Sequence, residues 1–378
     1  MRWAVALALV LFSQAAVAET LRIATFNVSL SRSGAGLLLS ELERNPREQT
    51  QNVAAIIQTV RPDILLLNEF DHDPEGRALD AFQRLLEDGQ RGAEGVSYVY
   101  GYAPAPNTGV LTGFDLDGDG FTTGRRDAQG FGHFPGQYGM AVLSRYPIDA
   151  AASRSFAELL WAEFPGAIPP EGFEGYREEV QRLSSKAHWD VVVETPLGRV
   201  HLLASHPTPP VFDGPEDFNG RRNHDEVAFW SAYLDGVPLT DDQGREAPAP
   251  EGLVVVLGDL NTDPFDGDGR LSAVQGLLTH PRLQDPAQGS AGSEEAAQAQ
   301  GGANTAHLGP AAQDTADWND TRGPGNLRVD YLLPDARLRV VDAGVFWPAP
   351  GAQGYELLGE GRDAASDHRL VWVDVTLE

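Results

Sequence analysis

Val254–Val255–Val256–Leu257–Gly258–Asp259–Leu260–Asn261 opens on four apolar residues, three of them β-branched, and ends in a glycine, a carboxylate and an amide. An unbroken apolar run of this length reads as a strand buried on both faces. Thr262–Asp263–Pro264 then turns the chain. A buried strand that stops in Asp and Asn delivers an oxygen and an amide together at the rim of a sheet. Hard metals and phosphate esters bind such groups when they are held rigidly. A single strand end of this kind is equally the beginning of an ordinary turn, so the weight lies in recurrence.

The pattern does recur. Apolar strands are expected at Leu21–Phe26, Ile64–Asn68, Met140–Ser144, Trp189–Val193, Val200–Ala204, Leu253–Leu257, Val329–Leu333 and Leu370–Val375. The first ends at Asn27, the second at Asn68–Glu69, the fifth at Ser205–His206 and the sixth at Asp259–Leu260–Asn261. Asp330 lies near the start of the seventh, and Ser366–Asp367–His368 precedes the last. Helical periodicity falls between strands. Val53, Ile56, Ile57 and Val60 share one face of Glu48–Val60, which Pro62 stops, and Leu79, Phe82, Leu85 and Leu86 do so within Ala78–Leu86. A third helix is expected at His224–Leu234 with Asn223 as its N-cap. Strands covered by helices in one domain predict layered α/β structure.

Taken in order, Thr25–Phe26–Asn27, Leu67–Asn68–Glu69, Ser205–His206, Gly258–Asp259–Leu260–Asn261, Val329–Asp330–Tyr331 and Ser366–Asp367–His368 resemble the endonuclease/exonuclease/phosphatase superfamily, whose fold is that of deoxyribonuclease I. The resemblance runs from Leu21 to Glu378. It implies a four-layer α/β/β/α sandwich of two packed mixed sheets, and hydrolysis of a phosphodiester or phosphomonoester with a divalent cation, Mg2+ or Mn2+.

The resemblance also implies roles. Glu69 becomes the principal metal ligand, assisted by Asn27 and by Asp367 or Asp259. Asp259 orients or deprotonates the attacking water, and Asn261 holds a phosphate oxygen. His368 contacts the phosphate or serves as base, with Asp330 fixing its tautomer. His206 protonates the leaving group or stabilises charge in the transition state. Two positions depart from the DNA-repair members: Ser29 stands where some carry an Asp, and Gln137, followed by Tyr138, stands where they place a phosphate-contacting Tyr. His206 instead resembles the two-histidine branch that includes deoxyribonuclease I and bacterial sphingomyelinases.

Other stretches stand outside the strand pattern. Residues 103–135 and 286–316 look inserted; the second, rich in Ala, Gln and Gly, reads as a mobile surface loop without chemistry. Asp115–Leu116–Asp117–Gly118–Asp119–Gly120 matches the opening of a calcium loop, but Arg126 stands where the bidentate Glu of an EF-hand belongs. A structural Ca2+ held by Asp115, Asp117 and Asp119 competes with a solvated acidic turn. After the fifth strand, Arg221, Arg222 and His224 either clamp a phosphate or offset Asp213, Glu216, Asp217 and Asp225.

Met1–Arg2, an apolar stretch from Trp3 to Phe12 and Ala16–Val17–Ala18 read as a secretory signal peptide over residues 1–18, leaving a domain at 19–378. Export to the periplasm or beyond is therefore expected, and no later run reaches the ~18 apolar residues of a membrane span. The chain has no cysteine, which excludes thiol catalysis and zinc–thiolate sites. Its formal net charge is −27, which opposes tight non-specific binding to a polyanion. A small phosphate ester is accordingly favoured over nucleic acid or phospholipid, and no obligate protein partner is evident. The rival expectation is a non-catalytic, calcium-stabilised exported binding protein on the same fold.

Overall fold

The computed structural model describes residues 19–247 and 249–377; the signal-peptide segment lies outside them. In chain order the strands are β1 (Leu21–Leu30), β2 (Ile64–Phe70), β3 (Tyr100–Tyr102), β4 (Met140–Ser144), β5 (Arg154–Ser155), β6 (His188–Thr195), β7 (Gly198–Ser205), β8 (Leu239–Thr240), β9 (Glu246–Ala247), β10 (Leu253–Asp259), β11 (Asp330–Pro334), β12 (Leu338–Val345) and β13 (Val371–Leu377). The α-helices are α1 (Leu37–Arg44), α2 (Glu48–Val60), α3 (Arg77–Glu87), α4 (Tyr176–Val180), α5 (Phe218–Leu234), α6 (Leu271–Leu278) and α7 (Ala291–Gln300).

Side-chain alternation builds the layers. In β10, Val255 and Leu257 point into one apolar cluster while Val254 and Val256 point into another, as the two-residue period of a strand requires. β1 and β2 divide in the same way: Ile23, Ile64 and Leu66 join the first cluster, and Phe26, Leu65 and Leu67 join a third. The shared cluster lies between two sheets. One has the order β12-β13-β1-β2-β4-β3 and the other β11-β10-β7-β6-β5. The remaining clusters lie under helices: Val53, Ile57 and Phe82 of α2 and α3 cover the first sheet, and Phe229, Trp230, Val274 and Leu277 of α5 and α6 cover the second. The result is the expected four-layer sandwich of two mixed sheets. Each sheet holds one parallel pair, β1 with β2 and β7 with β10, among antiparallel neighbours.

Three expectations change. α5 starts at Phe218 rather than His224, so Asn223 is a buried interior residue and not a cap; its Nδ2 donates to the carbonyls of Thr208 and Leu260. The 286–316 segment contains α7, whose N-cap Ser290 accepts a bond from Ser293 N. The same segment has a structural duty, because Thr315 Oγ1 receives the backbone N–H groups of Val329 and Asp330 at 3.0 Å each. Among the described residues no helix is long and apolar enough to cross a membrane.

Candidate active site

Strand register assembles the site. Asn27 faces Asn68 across the parallel β1–β2 pair, and Asp259 faces Asp330 across the antiparallel β10–β11 pair. Gly258 makes the close approach of β10 to β7 possible: its φ is 142°, and a Cβ there would run into the carbonyl of Ser205. The chain leaves regular geometry where the functional groups emerge. Ser29, Glu69, Tyr138 and Asn261 all have φ between 50° and 57°. Non-glycine residues hold such conformations where surrounding structure over-determines them, often at functional sites.

Asp259, 1 % exposed, is the hub. Its Oδ2 accepts from Asn27 Nδ2 at 3.0 Å and its Oδ1 from Asn261 N at 2.9 Å. Two imidazoles converge on the same carboxylate, His206 Nε2 at 3.4 Å and His368 Nε2 at 3.7 Å. On its other side His368 meets Asp330, Nδ1 to Oδ2, at 2.9 Å. Asn68 Oδ1 accepts from Thr25 Oγ1 and from Asp259 N. Asn68 Nδ2, His206 Nδ1 and Asp330 Oδ1 are buried without a hydrogen-bond partner.

The environment separates the two histidines. Burial pushes His206 well down, and the positive charges of Lys186 and His368 push it further. Burial also opposes charging His368, but the Asp330 and Asp259 carboxylates outweigh it and hold the imidazole well above its ordinary value. Burial raises Asp259, against the pull of His368. The surroundings therefore disfavour charge on His206 and favour it on His368. Groups pushed apart in this way are candidates for acid and base.

Glu69 lies beyond this hub. Burial raises its carboxylate, Asp367 adds to the rise, and His368, Lys186 and the Asn27 amide counter it. A carboxylate that burial disfavours, with a second carboxylate and the Asn27 side-chain amide near it, is a donor set that fits a hard divalent cation. Glu69, Asn27 and Asp367 would hold such an ion. Asp367 is exposed at the site's edge, where its Oδ2 accepts from Trp318 Nε1 at 3.1 Å, and Trp318 packs edge-on against His368. Asp259, Asp330 and His368 also bring one ligand atom each within 4.8 Å of one another.

Two cavities flank these residues. One of about 550 Å³ is bordered by Ser29, Gln49, Ser366, Asp367 and Arg369, and one of about 330 Å³ by Ser31, Arg32, His133, Gln137 and Tyr138. Gln137 is structural: its Nε2 donates to Arg32 O and its Oε1 accepts from His133 N. The half-buried Tyr138 phenol is raised by burial and by the charges of Glu69 and Asp71. Asp71, held by the N–H groups of Arg32 and Tyr138, is pushed by burial up to about 6.

Other expected residues fall elsewhere. Arg222 is buried on α5 with its guanidinium on the carbonyls of Leu183, Gln129 and Arg182. Arg221 donates to Glu216 O and Ile168 O, and His224 contacts Asp225 and Ser272. All three hold α5 in place, with chain carbonyls rather than the nearby acids taking the arginines. In the 103–135 segment, Asp127 joins Asp115 and Asp117 within 4.8 Å in place of Asp119. Asp119 Oδ1 is turned along its own loop to accept from Phe121 N.

Two residues were not legible as site residues. Glu226, buried on α5, receives Ser185 N, Ser185 Oγ and Thr208 N at 2.6, 2.9 and 2.6 Å. It thereby ties the entrance of β6 to the exit of β7. Lys186, also buried, donates to Pro207 O at 3.3 Å. A lysine in a mainly polar stretch carries no motif, although its being the sole lysine of the chain was an available signal.

The sequence model of the Endonuclease/Exonuclease/phosphatase family matches residues 24–368. No curated protein matches the chain. Among solved structures, an endonuclease/exonuclease/phosphatase from Beutenbergia cavernae is 19% identical with a TM-score of 0.50, covering 95% of this chain and 72% of that one. Truncated TDP2 of Caenorhabditis elegans is 15% identical with a TM-score of 0.46, covering 94% of this chain and 97% of its own. Sphingomyelinase C of Streptomyces griseocarneus is 16% identical with a TM-score of 0.45, covering 94% of this chain and 99% of its own. At these identities the likeness concerns the fold.

Proposed function

Because the chain belongs to the endonuclease/exonuclease/phosphatase family, hydrolases of phosphoric ester bonds, we propose that it is an exported, divalent-metal-dependent phosphoesterase with a two-histidine site. The observation that carries this reading is the convergence of His206 and His368 on Asp259, 3.4 and 3.7 Å from its Oδ2. The enzyme class sets aside the non-catalytic alternative. A bound Mg2+ or Mn2+ supplies Lewis-acid polarisation of the phosphoryl oxygen.

The chain's own groups divide the remaining work. Asp259 orients the attacking water and takes its proton, a step worth roughly 10²–10⁴-fold. Asn261 donates to a phosphate oxygen. His368, which carries the proton, gives it to the leaving oxygen or holds the phosphate, while Asp330 keeps its Nδ1–H in place. This moves the acid from His206, where family resemblance puts it, to His368. Neutral His206 orients Asp259. The net charge of −27 favours a small phosphate ester over a polyanion, and the pattern of residues 1–18 supports export. Asp115, Asp117 and Asp127 are the candidates for a structural Ca2+.

The test is release of nitrophenol from bis-p-nitrophenyl phosphate and p-nitrophenyl phosphate by metal-stripped protein, with Mg2+, Mn2+ and Ca2+ restored separately. Release that returns with metal and is lost in His368→Ala is expected. No release with any ion from folded protein would overturn the reading. N-terminal sequencing of the protein from periplasm and medium checks export, with a start near Glu19 expected.

A further inference from the structure

Lys186 is the only lysine in the 378-residue chain, against 27 arginines, and it is 7 % exposed. Burying an ammonium is costly unless it is paired. The pairing here is incomplete. The nitrogen has three donors, and its hydrogen bond is a long one, 3.3 Å, to the neutral carbonyl of Pro207. Asn261 Nδ2 donates to that same carbonyl at 3.1 Å, so the ammonium shares an anchor with a residue of the site. Burial acts most strongly on the ammonium and lowers it; Glu226 is the strongest opposite charge countering this, followed by Glu69 and Asp259. Yet the Glu226 oxygens already receive Ser185 N, Ser185 Oγ and Thr208 N.

The position is also fixed. Asn107 N donates to Lys186 O at 2.9 Å, and Asn107 Nδ2 holds Ala157 O and Ser184 O. The 103–135 segment therefore braces Lys186 from one side while Glu226 braces its neighbour Ser185 from the other. A compact point charge on a long stem is what lysine offers and the planar arginine fork does not.

We propose that Lys186 is a further catalytic residue, whose ammonium donates to a non-bridging phosphoryl oxygen of the substrate beside Asn261. The assignment rests on the phosphoesterase reading above. It gives the site a cation next to Asp259 and Glu69, with opposite consequences for its two ligands. Lys186 attracts the phosphoryl group and repels the divalent cation. Removing its charge weakens phosphate binding and leaves metal binding equal or tighter, whereas loosening the site would weaken both.

The sole lysine also permits a test in the unaltered enzyme. With ¹³Cε-labelled lysine the protein gives one ε-methylene signal. Titration with inorganic phosphate in the presence of Mg2+ should move that signal over the same concentrations that inhibit nitrophenyl ester hydrolysis. In Lys186→Met, which keeps the apolar stem, the phosphate inhibition constant should rise at least ~10-fold, with Mg2+ affinity by calorimetry unchanged or increased. A signal that stays still at inhibitory phosphate overturns the assignment. So does an unchanged inhibition constant in the variant, or a parallel fall in phosphate and metal affinity. Wild-type protein that neither turns over esters nor binds phosphate would instead remove the phosphoesterase reading, and the lysine's role with it.

Discussion

His368 lies between two carboxylates, its Nδ1 2.9 Å from Asp330 Oδ2 and its Nε2 3.7 Å from Asp259 Oδ2. Asp330 is the positioning partner and Asp259 faces the chemistry. Asp330→Asn keeps the volume but removes the charge that holds the imidazole protonated. The expected result is a drop of roughly 10²–10⁴-fold in kcat, with the basic limb of the pH–rate profile moved to lower pH because the His368 proton leaves earlier. A profile that keeps its shape in this variant would show that Asp330 does not set the protonation of His368.

Glu69→Gln tests the donor set for the cation. The amide keeps the shape and removes the charge, so Mg2+ affinity measured by calorimetry should fall by more than the ~10–100-fold typical of losing an outer partner. Stability without metal should hold or rise, since burial disfavours this carboxylate in the folded chain. A variant that binds Mg2+ like the wild type would move the principal ligand elsewhere.

Much of this site was legible because its residues sit at strand ends. Short apolar runs mark β1, β2, β7 and β10, and the polar residue that ends each run marks the rim. The bounds of α2 and β4 follow directly from the apolar pattern. The start of α5 was hidden because Phe218–Asn219–Gly220 contains two poor helix formers. β12, with Arg339, Val341 and Asp342 exposed, lacks an alternating pattern. Arg222 resembled a phosphate clamp because sequence shows the cation and not the three carbonyls that occupy it. Asp127, Tyr138, Glu226 and Lys186 gain their neighbours through tertiary contacts, which no local spacing encodes.

Glu226→Gln should separate positioning from chemistry. The carboxylate touches neither metal residue nor hub, yet it holds Ser185 and Thr208 through three donors. An amide can accept at one end only, so its NH2 group meets an N–H or O–H donor. A stability loss of about 3 kcal/mol in urea unfolding is expected, together with a fall in kcat/KM from displacement of Lys186 and His206. Full activity in a destabilised protein would mean that the two loops hold their geometry without this tie.

Asp314 provides the pH test of the fold. It is buried without a cation among its electrostatic neighbours; burial first, then Asp263 and Asp266, pushes its carboxyl from 3.8 up to about 8. Between those values the folded chain keeps a proton that the unfolded chain has released, so the unfolded state binds fewer protons and stability falls as pH rises. The contribution is fully present at low pH and is lost across the interval from about pH 4 to pH 8. Asp314→Asn removes the titration while keeping the shape. Urea unfolding at pH 5 and pH 8 should show the wild type losing stability on the order of 1–3 kcal/mol more than the variant over that interval. Parallel losses in the two proteins would show that Asp314 is ionised in the native state throughout.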